Sequence, residues 1–156
     1  MTKYRFDKPL RTEKRIYFEE WKMLGFIPRR RARHFWVVLE EFSFLDENGE
    51  LVHTVKKGFK TDFSSVPVGF RWMFPKDDVD SQAAVLHDNL YHVNKPHSVE
   101  PPLPENRRTR KDCDSLFLIG MEVCGQPFER RRLKYRGVRL GGWYGWNKKD
   151  KKVCED

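Results

Sequence analysis

The chain has 156 residues, enough for one domain with its own core. Apolar residues make up 38% and charged ones 35%, and the 14% aromatic share argues against a generally disordered chain. A formal net charge of +8 points to an anionic partner: nucleic acid, an acidic membrane surface or an acidic protein.

The opening residues M-T-K-Y-R-F-D-K-P-L-R-T-E-K-R carry no apolar signal core. The longest apolar runs, near residues 35–39 and 116–121, are too short to span a bilayer. A soluble chain made in the cytoplasm is expected. Cys113, Cys124 and Cys154 form neither a disulfide framework nor a zinc spacing. They are expected to be reduced, with Cys113 and Cys124 packed in the interior.

In chain order, the first half reads as strands. Residues 15–21 mix aromatic and β-branched side chains with charges, and P-R-R-R-A-R at 28–33 reads as a basic turn. Residues 35–44 read as one strand, D-E-N-G-E as a hairpin signal at Asn48-Gly49, and residues 51–55 as the returning strand. Residues 58–69 read as a loop, since Pro67 excludes regular helix.

The second half reads as helices. V-D-S-Q-A-A-V-L-H-D-N-L-Y has Asp80 or Ser81 as a candidate N-cap, and His87, Asp88 and Tyr91 fall on one face by three-four spacing. Residues 95–104 hold four prolines and read as a loop. A second helix is expected from about Asn106 to Cys124, ended by Gly125 and Pro127, with Asp114, Phe117, Leu118 and Met121 on one stripe. A short connection makes the two helices antiparallel neighbours. The segment after Gly125 reads as a basic, aromatic docking tail. Together these give one α+β domain over residues 1–146, a small antiparallel sheet followed by an antiparallel helical hairpin, with a polar tail at 147–156.

An antiparallel pair brings His87 opposite Asp114. A carboxylate on one imidazole nitrogen fixes the tautomer and leaves the other nitrogen to take a proton from water. Asp88 points about a third of a turn away from His87, toward the loop that carries Asp62. Oxygen ligands of this kind suit calcium better than zinc. Each piece also has a plain reading: a surface His-Asp pair, a turn residue at Asp62, a core aromatic at Tyr91. Asp112 competes with Asp114, although it lies off the apolar stripe.

K-G-F-K-T-D-F-S-S-V-P, A-A-V-L-H-D-N-L-Y and R-x-x-x-D-x-x-F-x-x-x-M ending at Met121 occur in that order. In this the chain resembles an uncharacterised family of bacteriophages and prophages, domain of unknown function 1353, over about residues 35–146. This implies a phage protein, made in the host cytoplasm, with the virion as its destination and other virion subunits as partners.

Residues 61–124 are also similar to prokaryotic and fungal secreted phospholipase A2. That family has S-D-x-C-S-x-x-P, H-D-x-x-Y and D-x-x-F-x-x-x-M-x-x-C; this chain has T-D-F-S-S-V-P, H-D-N-L-Y and D-S-L-F-L-I-G-M-E-V-C. The resemblance implies His87 as general base, Asp114 as its orienting carboxylate and Tyr91 as support for Asp114. It implies calcium on Asp62, the Phe63 carbonyl and Asp88, with phospholipid of the host envelope as substrate. Ser64 stands where that family has its loop cysteine, only Gly69 is near the loop, and the inter-helix connection is Pro-rich.

The basic stretches R-R-R-A-R and R-R-R-L-K-Y-R, with Trp143, Tyr144 and Trp146, fit nucleic acid without sequence specificity, an anionic lipid surface, or an acidic neighbour. Two functions therefore stand as expectations: a calcium-dependent, phospholipase-like hydrolase in the virion or tail, and a non-catalytic virion protein that docks through its basic surface.

Overall fold

A computed structural model describes residues 3–23, 25–61 and 79–147. The described residues form a mixed α+β domain: two small antiparallel sheets followed by three α-helices. The strands are β1 (Arg5–Phe6), β2 (Thr12–Met23), β3 (Ile27–Val38), β4 (Phe42–Leu45), β5 (Leu51–Val55) and β6 (Lys60–Thr61). The helices are α1 (Ser81–Asn94), α2 (Arg110–Val123) and α3 (Phe128–Asn147).

The first sheet has the order β1-β4-β5. Its β4–β5 hairpin turns at Asn48-Gly49, as the sequence signals. Asp46 Oδ1 accepts bonds from the backbone N–H groups of Asn48 (2.8 Å) and Glu50 (2.9 Å), and Gly49 takes a positive φ of 85° that a side chain would resist. The returning strand pairs with β4, Phe42 opposite Val55 and Phe44 opposite His53.

Two sequence expectations fail here. Residues 35–44 are not one strand: β3 ends at Val38 and the chain re-enters the first sheet at Phe42. Nor are residues 28–33 a turn. They lie inside β3, which pairs with β2 along twelve positions from Thr12↔Val38 to Met23↔Ile27. Arg29, Arg30 and Ala32 are all exposed, so this run lacks the apolar alternation that marks a half-buried strand. The second sheet has the order β2-β3-β6, with β6 joined only at the root, Trp36↔Thr61 and Val37↔Lys60.

The core lies between the first sheet and α1. Phe42, Phe44 and Val55 of the sheet pack with Val85, Leu86 and Leu90 of the helix, all fully buried. Each such side chain contributes about 1.5–3 kcal/mol by leaving water. A second cluster, Ala83, Phe117, Met121 and Val138, ties the three helices together. Helix α2 joins both clusters, through Cys113 in the first and Phe117 and Met121 in the second. Polar positions of α1 are matched too: Asn89 Oδ1 meets His53 Nε2 at 2.7 Å, and Asn94 Oδ1 accepts from the Arg108 backbone N–H at 2.7 Å.

Helix α2 begins at Arg110, four residues later than the sequence suggests. Thr109 is its N-cap in a reciprocal capping box with Asp112, and Gly125 at φ 82° ends the last turn. Asp112 is thereby removed from the candidate site: its bonds to Thr109 hold its carboxyl below the usual range. The segment from residue 128 is not a tail up to Asn147; it is α3, packed on the other two helices.

Candidate catalytic site at the helix interface

Helices α1 and α2 run antiparallel, as the order of their contacts shows. Asn94 bonds the backbone of Arg108, Tyr91 bonds Asp114, the His87 ring lies on that of Phe117, and Ala83 lies against Gly120. As the residue number falls on α1 it rises on α2. A Cβ on Gly120 would stand 3.1 Å from the Ala83 Cβ, so this glycine lets the two helices approach closely beside His87.

That approach places Asp114, fully buried, among donors from all three helices. Its Oδ1 accepts from His87 Nε2 at 2.9 Å and from the Tyr91 hydroxyl at 2.6 Å. Its Oδ2 accepts from an Arg139 guanidinium nitrogen at 2.7 Å, with Arg110, one turn earlier on α2, at 3.7 Å. Burial pushes the Asp114 carboxyl up. The bonds from His87, Tyr91 and Arg139 together outweigh burial and hold it below the usual carboxylate range. The Tyr91 hydroxyl is pushed far up, by burial first and then by the Asp114 charge, so it stays a donor.

His87 is 5% exposed, and its ring is flanked by Tyr91 at 4.2 Å and Phe117 at 4.7 Å between centroids. With Nε2–H directed at Asp114, the neutral ring keeps its lone pair on Nδ1. Among the described residues Nδ1 has no hydrogen-bond partner. A nitrogen in that state can accept a proton from a water or a substrate group.

Asp88 follows His87 but faces elsewhere: it is half-buried and accepts from the Thr61 hydroxyl at the end of β6. This ties α1 to β6: residues 60 and 61 of the stretch read as a 58–69 loop are a short strand, and residues 62–69 lie outside the described residues. Asp62 and the Phe63 carbonyl, two of the three expected calcium ligands, are among the latter. Among the described residues no group of three or more His, Cys, Asp or Glu side chains is arranged to hold a metal.

Three features were missed from the sequence. Arg139 is a direct partner of Asp114, although it lies in the segment read as a docking tail. Lys134, also in α3, is buried and bonds both Asp80 carboxylate oxygens, at 2.8 and 2.9 Å. Asp80 does occupy the N-cap position of α1, but its side chain makes no capping bond and turns to Lys134 instead. Spacing along the chain signals none of these; it reaches only Arg110, one helical turn before Asp114 on α2. Both cysteines of the helical region behave as expected: burial pushes the Cys113 thiol up to about 12 and that of Cys124 to about 11, far from a reactive thiolate.

Fold and site together define a mixed α+β domain with a buried His-Asp pair held across an antiparallel helix pair and closed by a third helix. The chain belongs to the family described as Protein of unknown function (DUF1353), which matches residues 36–138, from the root of the β2–β3 ribbon to the middle of α3. No curated protein and no solved structure matches it. No described helix is long and apolar enough to cross a membrane.

Proposed function

We propose that the chain is a bacteriophage hydrolase of phospholipase A2 type, acting on the phospholipid of the host envelope as a component of the virion or tail. The observation that carries this reading is the state of His87: oriented through Nε2 by a buried carboxylate, with Nδ1 unbonded among the described residues. That is the arrangement a general base needs. Asp114 fixes the ring and stabilises the imidazolium that forms, Tyr91 and Arg139 fix Asp114, and Phe117 and Tyr91 set the tilt of the ring. Asp88, with Asp62 and the Phe63 carbonyl, is assigned to a calcium ion, which when bound supplies charge to polarise an ester carbonyl. The phage origin rests on the resemblance of residues 35–146 to the bacteriophage and prophage family, and the role of each residue on the motif resemblance over residues 61–124 and on this geometry.

The test is hydrolysis of anionic phospholipid vesicles by the full chain, with calcium and with a chelator. Calcium-dependent release of fatty acid, abolished in His87→Asn at near-native melting temperature, is the expected result. No release by the native chain, or equal release by His87→Asn, overturns the reading.

The second reading is a non-catalytic virion docking protein made in the host cytoplasm. It is favoured by the two arginines on Asp114: a carboxylate shared between His87 and guanidinium groups from α2 and α3 also serves to lock three helices. Under that reading His87→Asn alters stability and no activity exists to lose.

A further inference from the structure

The β2–β3 ribbon stands apart from the rest of the fold. Each strand runs twelve residues, about 40 Å at roughly 3.3 Å per residue. Among the described residues its pairing with the body is confined to the root, where β6 meets Trp36 and Val37. An isolated two-stranded hairpin is marginal in water. This one is held by contacts within itself: Tyr17 against Phe35 at 5.6 Å, Arg30 over Phe18 at 5.2 Å and Lys14 over Trp36 at 5.7 Å.

Residues 12–38 hold seven Lys and Arg against three Glu, a net +4 that is half the charge of the whole chain. Two of the arginines are partly offset, Arg15 by Glu13 and Arg30 by Glu20. Lys14, Lys22 and Arg29 are exposed. Side chains alternate between faces along a strand, so Ile16 and Phe18, 56% and 60% exposed, lie on one face and Tyr17, 48% exposed, on the other. Lys14 and Lys22 share the face of Ile16, and Arg15 that of Tyr17. Neither face is an apolar one. A membrane or a second copy of the chain would call for one apolar face, whereas positive charge on both faces of a narrow arm suits a slot with anionic walls.

We propose that the β2–β3 ribbon is an arm that binds duplex DNA. It enters the major groove, which is about 12 Å wide and admits a two-stranded β-ribbon, and its basic side chains reach the phosphates on either wall. Binding is through phosphates and apolar packing in the groove, without readout of a particular sequence. The inference is independent of the hydrolase reading, since the arm carries none of the residues assigned to chemistry.

The experiment uses the full chain and a fluorescently labelled, mixed-sequence duplex of about 30 base pairs, followed by anisotropy between roughly 50 and 300 mM salt. The native chain is expected to bind at the lowest salt and to weaken steeply as salt rises. The triple variant Lys14→Gln, Lys22→Gln, Arg29→Gln should bind at least about tenfold more weakly, with the log–log salt slope reduced by about one for each phosphate left without its cation. Its melting temperature should fall only slightly, because these side chains are exposed and only the Lys14–Trp36 contact is given up; Arg29→Gln alone replaces it if the triple variant does not fold. The control Arg132→Gln, Arg136→Gln on the exposed face of α3 should bind like the native chain. The proposal is overturned by no binding at about 50 mM salt, by salt-independent binding, or by equal weakening in the α3 control. It is also overturned if the ribbon substitutions abolish binding to anionic vesicles or self-association and leave DNA binding intact.

Discussion

Gly142 of α3 passes directly over the Tyr91 hydroxyl of α1: a Cβ at position 142 would stand 2.6 Å from that oxygen. The hydroxyl has no room to retreat, because it is bonded to Asp114 and the Tyr91 ring packs edge-on against Trp146 at 5.1 Å. Gly142→Ala is therefore expected to force α3 away from the site and to cost about 1–3 kcal/mol. Urea unfolding of the variant measures it. Gly120→Ala, where the new Cβ meets the Ala83 methyl at 3.1 Å, should cost less, and the reverse order would contradict the packing described.

Tyr91→Phe removes one of the two donors on Asp114 Oδ1 and keeps the ring packing. The bond is made to a buried, charged carboxylate, so about 1.5–3 kcal/mol of stability should be lost. A variant as stable as the native chain would show that the hydroxyl contributes nothing to holding the site.

Lys134→Met leaves the buried Asp80 carboxylate without its lysine and should cost about 3–5 kcal/mol. Adding Asp80→Asn removes the uncompensated charge and should recover part of that loss, which a double-mutant cycle in denaturant resolves. Truncation after Pro127 removes Lys134 and Arg139 together. It is expected to destroy the helix assembly, and far-ultraviolet circular dichroism with near-ultraviolet tyrosine and tryptophan signals would register this.

The folded-state pKa of Asp114 lies below its unfolded value, so the carboxylate contributes stability above about pH 4, the ordinary aspartate range. That contribution is lost as pH falls through the folded-state value. Asp114→Asn should be less stable than the native chain at neutral pH, and its stability should fall less on acidification. Melting curves from about pH 7 down to pH 3 compare the two. Parallel curves would mean that Asp114 plays no part in acid sensitivity.

The helix pair and the meeting of His87 with Asp114 were legible in the sequence for a local reason: a lone carboxylate on an apolar stripe requires a partner, and a Pro-rich link returns the chain antiparallel. The bond from Tyr91 to Asp114 was implied only by the phospholipase resemblance, since spacing alone leaves Tyr91 a core aromatic. The Asn48-Gly49 turn was legible because its backbone demands a glycine. The ribbon was not, because beyond its root at Val37 and Val38 its described side chains are exposed or half-buried on both faces and so carry no period-two signal; a run of arginines there looks like a turn. Arg139 and Lys134 were hidden for a different reason. Each is one basic residue among many on a basic helix, and only the docking of α3, permitted at Gly142 by the missing Cβ, selects these two for buried carboxylates 25 and 54 positions away. Local pattern determined the β4–β5 hairpin and the α1–α2 pair and which of their residues face inward. The choice of charged partners came from tertiary packing, since the energy of pairing a buried charge depends on distance in space and leaves no trace in the spacing along the chain.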